Sequence, residues 1–371
     1  MSEIRPLTTL RFFAAALVFV EHARLIPGCE WVNADTVPGM AGVAVFFVLS
    51  GFILSYTYED RDWRGSFGAN AGEFYWSRFA RIYPLHWLMF LVALPIALQS
   101  RTSHVSVSDF PWLLTLTDKL WPGAHFGPPP VFVAWTLSCE ALFYLATPLI
   151  LLGLSKRRNP LMAASMLFVA YTALVLAADY RYHKLNWQAY LQAPQFLLGV
   201  AGYQLYRRVN CSRYSVWLAV IGTASLLVPH MFSAQETRFT RLGYAPGALL
   251  IVLGLASDAG AMKALLSRPF LVLLGQSSYA LYLLHDPVLR YSRVGFEKLG
   301  ITVPLILTVP VMLIAFGVTV SGSVICFTFY ENPTRLWLRA AFGRKKPKPQ
   351  QTAASTLTSA TLPIEPSKPG E

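Results

Sequence analysis

Long, uninterrupted apolar runs constrain this chain more than any motif does. About twenty apolar residues cross a bilayer as helix. Ten runs are candidates: roughly 8–26, 40–58, 84–100, 131–154, 161–178, 188–206, 215–230, 245–257, 269–290 and 302–329. In lipid every backbone N–H and C=O needs a partner within the protein, which only helices and closed barrels provide. The runs are continuous rather than alternating, so helices are predicted and strands are not. Charged residues make up 13% of the chain, against roughly 25% in soluble domains. That excludes a disordered chain, a disulfide-stapled module and an ordinary soluble enzyme. The expected fold is all-α: a polytopic transmembrane helix bundle of about ten helices.

The formal net charge is +12. No basic groove with interleaved stacking residues accompanies it, so nucleic acid is not an expected partner. The charge orients the bundle instead. With the N-terminus cytoplasmic, 21 of the 31 Lys and Arg fall on the inner side and 10 on the outer. This bias predicts that both termini are cytoplasmic. The four cysteines, at 29, 139, 211 and 326, form no CxxC pair, so no metal or dithiol site is expected. The first run carries Arg11, Glu21 and His22 with no small-residue cleavage site after it, unlike a signal peptide. Residues 1–340 read as the transmembrane domain. Residues 341–371, rich in Pro, Ser, Thr and Lys, read as a disordered cytoplasmic tail.

Polar groups inside the spans mark candidate function, because a charged side chain there costs a few kcal/mol on insertion scales. Arg11 and His22 are eleven residues apart. Eleven steps of about 100° make three turns plus about 20°, so both lie on one helix face, roughly 16 Å apart along the axis. Arg11 falls near the cytoplasmic surface and His22 in the outer half. His22 reads equally as a helix-packing histidine, and Arg11 as a snorkelling interfacial side chain. In the fourth span, Glu140 falls near the midplane below Trp135. In the ninth, GQSSYALYLLHDPV places Ser277, Ser278 and Tyr279 at mid-depth and His285 and Asp286 in the outer third. His22, Glu140 and His285 thus come from three spans at a shared depth, which suggests one polar cavity. Serine and tyrosine at such positions also serve as interhelical hydrogen bonders.

On the inner side, FYWSRFARIYPLHW at 74–87 places Arg78 and Arg81 three residues apart. On a helix they share a face. Paired guanidinium groups suit phosphate oxygens through planar bidentate contacts; simple positive-inside anchoring is the alternative. Arg11 at the same depth makes three cations at one mouth.

Six stretches together carry a resemblance. LRFFAAALVFVEH at 10–22 holds a basic residue, ten intervening residues and a histidine. It is joined by GVAVFFVLSGFIL at 42–54, RFARIYPLHW at 78–87, WTLSCEALFY at 135–144, SYALYLLHDP at 278–287 and FYENPTRLWLR at 329–339. The chain resembles the acyltransferase-3 family of integral membrane acyltransferases across nearly its whole length. The resemblance implies transfer of an acyl group, often acetyl, from cytoplasmic acyl-CoA to a hydroxyl of a carbohydrate or lipid-linked glycan outside. It implies a bacterial inner-membrane location, with acyl-CoA as donor substrate and no permanently bound cofactor. It makes His22 the catalytic histidine and Arg11, Arg78 and Arg81 the donor-binding cations. Some members carry an additional soluble esterase-like domain, so a separate soluble partner is implied here. Thr136 and Cys139 stand where serine and a second acid are common in relatives, which leaves Glu140 as the acid of that motif.

The chemistry fits the residues. Acyl transfer to a sugar hydroxyl needs a base for its proton, and a neutral imidazole can accept it. It also needs donors for the developing oxyanion, for which Tyr279, Ser278 and Trp135 are candidates. Glu140 and His285 complete the candidate catalytic set, and Glu331 in the closing motif has no assigned role. A transient acyl-histidine is an alternative to direct transfer. The rival reading is a transporter or flippase of a glycan or lipid-linked sugar, which intramembrane polar groups also fit. The His104/Asp109 spacing, H-x4-D, lacks supporting motifs and reads as chance.

Overall fold

A computed structural model describes residues 3–32, 36–99, 106–121, 126–182, 188–232, 238–257 and 260–342. The described residues form fifteen α-helices with short 3-10 and π turns and no strands. In chain order they are α1 (Arg5–His22), α2 (Gly39–Tyr58), α3 (Phe67–Gln99), α4 (Phe110–Leu114) and α5 (Trp135–Ser155). Next come α6 (Pro160–Arg181), α7 (Gln188–Tyr206), α8 (Ser215–Ser225), α9 (Val228–Phe232) and α10 (Arg238–Ser257). The last are α11 (Ala261–Leu266), α12 (Pro269–Gln276), α13 (Ser278–Lys298), α14 (Leu305–Cys326) and α15 (Asn332–Phe342).

This is a helical integral membrane protein. Among the described residues, the helices within 39–58, 67–99, 132–155, 160–181 and 305–341 are long and apolar enough to cross a bilayer. The other long helices carry more polar groups: Arg5, Arg11 and Glu21 on α1, four glutamines on α7, and Asp286, Arg290 and Arg293 on α13. Three expected spans are interrupted. The run 215–230 divides into α8 and α9. The run 269–290 breaks at Ser277 between α12 and α13. The run 302–329 ends inside a π turn, Phe327–Glu331, that leads into α15. Apolar composition measures burial in lipid but not helix continuity, so none of these breaks is legible as hydropathy. The expected tail boundary at 341 falls inside α15, and residues 343–371 lie outside the described residues.

Helix α1 lies at the centre, against α2, α12, α13 and α10, while α2 also packs on α7 and α10. Between apolar helices in lipid no hydrophobic force acts, so association depends on close packing and small residues at the crossings. The α2–α7 crossing is reciprocal. A Cβ on Gly51 would lie 2.0 Å from the Phe196 carbonyl oxygen, and one on Gly199 would lie 2.0 Å from that of Val48. A Cβ on Gly275, at the end of α12, would lie 2.1 Å from the Thr8 carbonyl of α1. The backbones approach only because these positions are glycine.

Long α3 holds Pro84 and Pro95. A proline inside a helix removes one N–H and disturbs the preceding turn. Carbonyls of α3 beside Pro84 accept side-chain hydroxyls: Tyr279 donates to Ile82 O at 2.9 Å and Tyr330 to Pro84 O at 3.1 Å. Trp76 Nε1 donates to Leu338 O at 3.1 Å, which fastens α15 to α3.

Gly199→Ala overpacks the α2–α7 crossing and is expected to destabilise the protein by about 1–3 kcal/mol. The check is a thermal melt in detergent beside Gly153→Ala, whose Cβ meets nothing within 4 Å and which is expected to melt like the native chain.

Candidate active site

Two polar centres lie along α1, one around Arg11 and one around His22. The Arg11 centre is a cavity of about 250 Å³ enclosed by α1, α2, α3, α5 and α13. Arg11, Arg78 and Arg81 all line it, together with Glu140, Tyr144, Ser278 and Tyr279. Residues 74–87 are helical within α3, so Arg78 and Arg81 share a face one turn apart.

Arg78 is held in place. One of its terminal nitrogens donates to Tyr58 Oη at 3.1 Å, and Tyr58 Oη lies 2.9 Å from Ser77 Oγ. Its guanidinium also lies over the rings of Tyr58, Phe74 and Tyr144, with centroids 5.6, 5.8 and 5.9 Å away. Arg11 and Arg81 have no hydrogen-bond or ion-pair partner among the described residues; the charges that face Arg11 are Arg81, Glu140 and Arg78. Glu140 is the one carboxylate in the lining. It accepts from Tyr144 Oη at 2.8 Å and Ser50 Oγ at 3.3 Å. Three cations against one lining acid, in a site walled by apolar and aromatic side chains, leave a net positive field. An anion is the ligand that answers it.

The second centre is a histidine pair. His22, at the last position of α1, places Nδ1 2.9 Å from Val18 O. A carbonyl only accepts, so this contact puts the ring proton on Nδ1 and leaves Nε2 as a base with a free lone pair. The rings of His22 and His285 are 5.2 Å apart. His285 is fully buried, and neither ring nitrogen has a hydrogen-bond partner among the described residues. Phe132, at the approach to α5, lies 6.2 Å from His22.

That approach is clamped by Asp286. Its carboxylate accepts from Phe132 N at 2.9 Å and from Arg290 Nε at 3.0 Å, one turn along α13. Here a buried acid serves backbone geometry beside the histidines.

The two centres meet at Tyr282, a residue that the sequence reading passes over. Its ring lines the cavity and lies 5.7 Å from His285. Its hydroxyl accepts from Thr136 Oγ1 at 3.0 Å and donates to Val133 O at 3.4 Å. The signal is present in the heptad. Ser278, Tyr282 and His285 stand at i, i+4 and i+7 and share one face of α13. Tyr144, four residues beyond Glu140, is legible the same way. The structure does not bring Glu140 together with His22 and His285 at a common depth. It lines the arginine cavity, which neither histidine lines. Tyr279 is committed to the Ile82 carbonyl, while Ser278 stays at the cavity wall. Trp135, also considered for the oxyanion, opens α5 and uses its carbonyl to accept from Cys139.

Glu331 is buried in the π turn, facing Arg81 and Arg335. π turns inside helices occur often at functional sites. His104 lies outside the described residues. Asp109 accepts from Gly127 N at 2.9 Å, a loop contact. No cluster of three His, Cys, Asp or Glu suited to a metal stands among the described residues, and all four cysteines are free.

A helical membrane bundle with a half-buried arginine cavity and a histidine pair along one helix fits the class that sequence similarity gives, an integral membrane acyltransferase. Residues 6–328 match the family model described as an acyltransferase domain, and the chain belongs to the acyltransferase-3 family. It is 28% identical to the acyltransferase MdmB of Streptomyces mycarofaciens, over 92% of this chain and 93% of that one. It is 26% identical to the exopolysaccharide production protein ExoZ of Rhizobium meliloti, over 83% and 92%. Similarity to the peptidoglycan O-acetyltransferase OatA of Listeria monocytogenes is 23%, over 88% of this chain but 55% of that protein. No solved structure matches. The enzyme is therefore an acyltransferase moving groups other than aminoacyl groups, and the transporter reading is set aside.

Asp286→Ala leaves the Phe132 N–H and the Arg290 guanidinium without their acceptor. The expected loss is about 2 kcal/mol, because hydrogen bonds to charged groups contribute about 1.5–3. Thermal melts should show it, with Asp286→Asn recovering part because its amide oxygen still accepts.

Proposed function

We propose that the protein transfers an acyl group, acetyl by the chemistry of its relatives, from acyl-CoA to a hydroxyl of a carbohydrate or lipid-linked glycan. The orientation proposed is a bundle of about ten spans in the bacterial inner membrane with both termini cytoplasmic. The donor then binds from the cytoplasmic side and the acceptor from the outer side. The observation that carries this reading is the polarity of α1. Its Arg11 end opens on a cation-rich cavity and its His22 end presents an unprotonated Nε2.

The donor's phosphates are anionic and planar-faceted, which suits Arg11, Arg78 and Arg81. Its thin thioester arm then extends along α1, past Tyr282, toward the histidine pair. The acceptor hydroxyl loses its proton to His22 Nε2 as its oxygen attacks the thioester carbonyl. The tetrahedral oxyanion collapses, the C–S bond breaks, and the departing thiolate takes the proton from the imidazolium. The Nδ1–H bond to Val18 O steadies the ring through both protonation states. The Tyr282 hydroxyl, at the boundary between the centres, donates to the oxyanion by giving up its 3.4 Å contact with Val133 O. His285 lies against His22 and supports its ring.

Support for a carbohydrate acceptor comes from the relatives' names, exopolysaccharide production and peptidoglycan O-acetylation. The shared region covers 55% of the Listeria relative. Membrane lipids surround the bundle, and no permanently bound cofactor is required.

Reconstituted in liposomes with labelled acetyl-CoA and a glycan extract, the native protein is expected to label glycan. His22→Ala should reduce transfer at least a thousandfold while leaving membrane insertion intact; transfer surviving in that variant contradicts the assignment. Arg78→Ala should raise the donor KM roughly tenfold or more, as lost charged hydrogen bonds of about 1.5–3 kcal/mol imply, with smaller change in kcat. An unchanged donor KM contradicts the placement of the phosphates.

A further inference from the structure

A second cationic site lies away from the catalytic cavity. A groove of about 700 Å³ runs between the α5–α6 turn and the end of α7, lined by Arg157, Arg158, Arg208, Asn159, Met162 and Met166. No carboxylate lines it. None of the three arginines has an ion pair or side-chain hydrogen bond among the described residues. The contrast with the preceding residue is direct. Arg207 is neutralised by Glu59 at 2.9 Å, with Asp60 at 3.9 Å, whereas Arg208 turns to the groove with no such partner. The α5–α6 turn is also held in place, by Arg64 donating to the Ser155 carbonyl.

The apolar side of the groove continues onto a lipid-facing helix. Only 11% of the apolar window of α6 is buried, and it is among the most apolar of the spanning helices. Met162, Met166 and Val169 stand at i, i+4 and i+7, exposed by 57%, 63% and 61%. They form a stripe that begins at the arginines and runs along the helix. Cations at the membrane boundary above an exposed apolar stripe match a ligand that is anionic at one end and an alkyl chain at the other. We propose that this groove binds one anionic phospholipid. Its phosphodiester is held by Arg157, Arg158 and Arg208, and one acyl chain lies along Met162 and Met166. Basic pockets between spanning helices recognise anionic headgroups by the same chemistry. The site is independent of the acyl-transfer reading.

The test is native mass spectrometry of the full chain in neutral detergent, titrated with phosphatidylglycerol and, separately, with phosphatidylcholine. One phosphatidylglycerol per chain is expected to saturate, with phosphatidylcholine at least tenfold weaker. The combined variant Arg157→Gln, Arg158→Gln, Arg208→Gln should lose at least tenfold in phosphatidylglycerol affinity. Arg213→Gln, an exposed arginine outside the groove, should lose nothing. Should the triple variant fail to fold, Met162→Ser with Met166→Ser keeps all three charges and is expected to weaken retention severalfold. Equal binding of the two lipids, retention unchanged in the arginine variant, or in the methionine variant, overturns the proposal. So does displacement of the lipid by millimolar inorganic phosphate or coenzyme A, which would make the groove a site for soluble anions.

Discussion

The rigidity of one buried helix underlies everything else in this protein. Helix α1 carries Arg11 and His22 on one face, about three turns apart, and neither can move relative to the other while the helix holds. Its neighbours are brought close by glycines, so the helix is locked by backbone contact rather than by long side chains. In the proposed mechanism, binding of the donor's charge and the chemistry at its reactive end are thereby set at a constant separation. In a bilayer this matters doubly, because a backbone that unwound there would expose groups that lipid cannot satisfy.

The arginine cavity is a deliberate imbalance. Burying charges in a bundle is unfavourable, and the usual remedy is an opposing acid at ion-pair distance. Here the lining acid, Glu140, is occupied by Tyr144 and Ser50, and Arg11 and Arg81 are left facing one another and the open space. Glu140 and Glu331 face these arginines without bonding to Arg11 or Arg81, so an entering anion relieves the remaining repulsion. Arg78, by contrast, is steadied by Tyr58 and three aromatic rings, so the site combines one oriented guanidinium with two that respond to the ligand. The histidine centre is organised on the opposite principle, with no acid bonded to either ring. Asp286 shapes the neighbouring backbone instead, and the carbonyl of Val18 sets the proton of His22 on Nδ1.

Much of this is legible in the residues. The eleven-residue spacing of Arg11 and His22 and the i, i+3 pair of Arg78 and Arg81 follow from helical periodicity, and the structure keeps both relations. The family motifs point to acyl transfer, and the match over residues 6–328 agrees. What stays hidden depends on where helices break. The interruption at Ser277 and the π turn at Phe327–Glu331 leave hydropathy unchanged, yet they decide which side chains of α13 and the closing motif face inward. Depth counted in residues groups Glu140 with the histidines, whereas its side chain lines the arginine cavity. Tyr282 escapes a search for charged groups and imidazoles, although its spacing to Ser278 and His285 marks it as lying on their face.

The proposed mechanism runs the donor from the arginine cavity past Tyr282 to His22. The most direct measurement is a cryo-electron microscopy structure of the protein with a non-transferable acyl-CoA analogue. The donor phosphates are expected on Arg11, Arg78 and Arg81, with the acyl carbonyl carbon near His22 Nε2. An acceptor oxygen hydrogen-bonded to Nε2 would then sit about 3–3.5 Å from that carbon, the separation of reacting atoms in a near-attack geometry. An analogue bound with its acyl end away from the histidine pair, or with its phosphates outside the arginine cavity, would contradict this path.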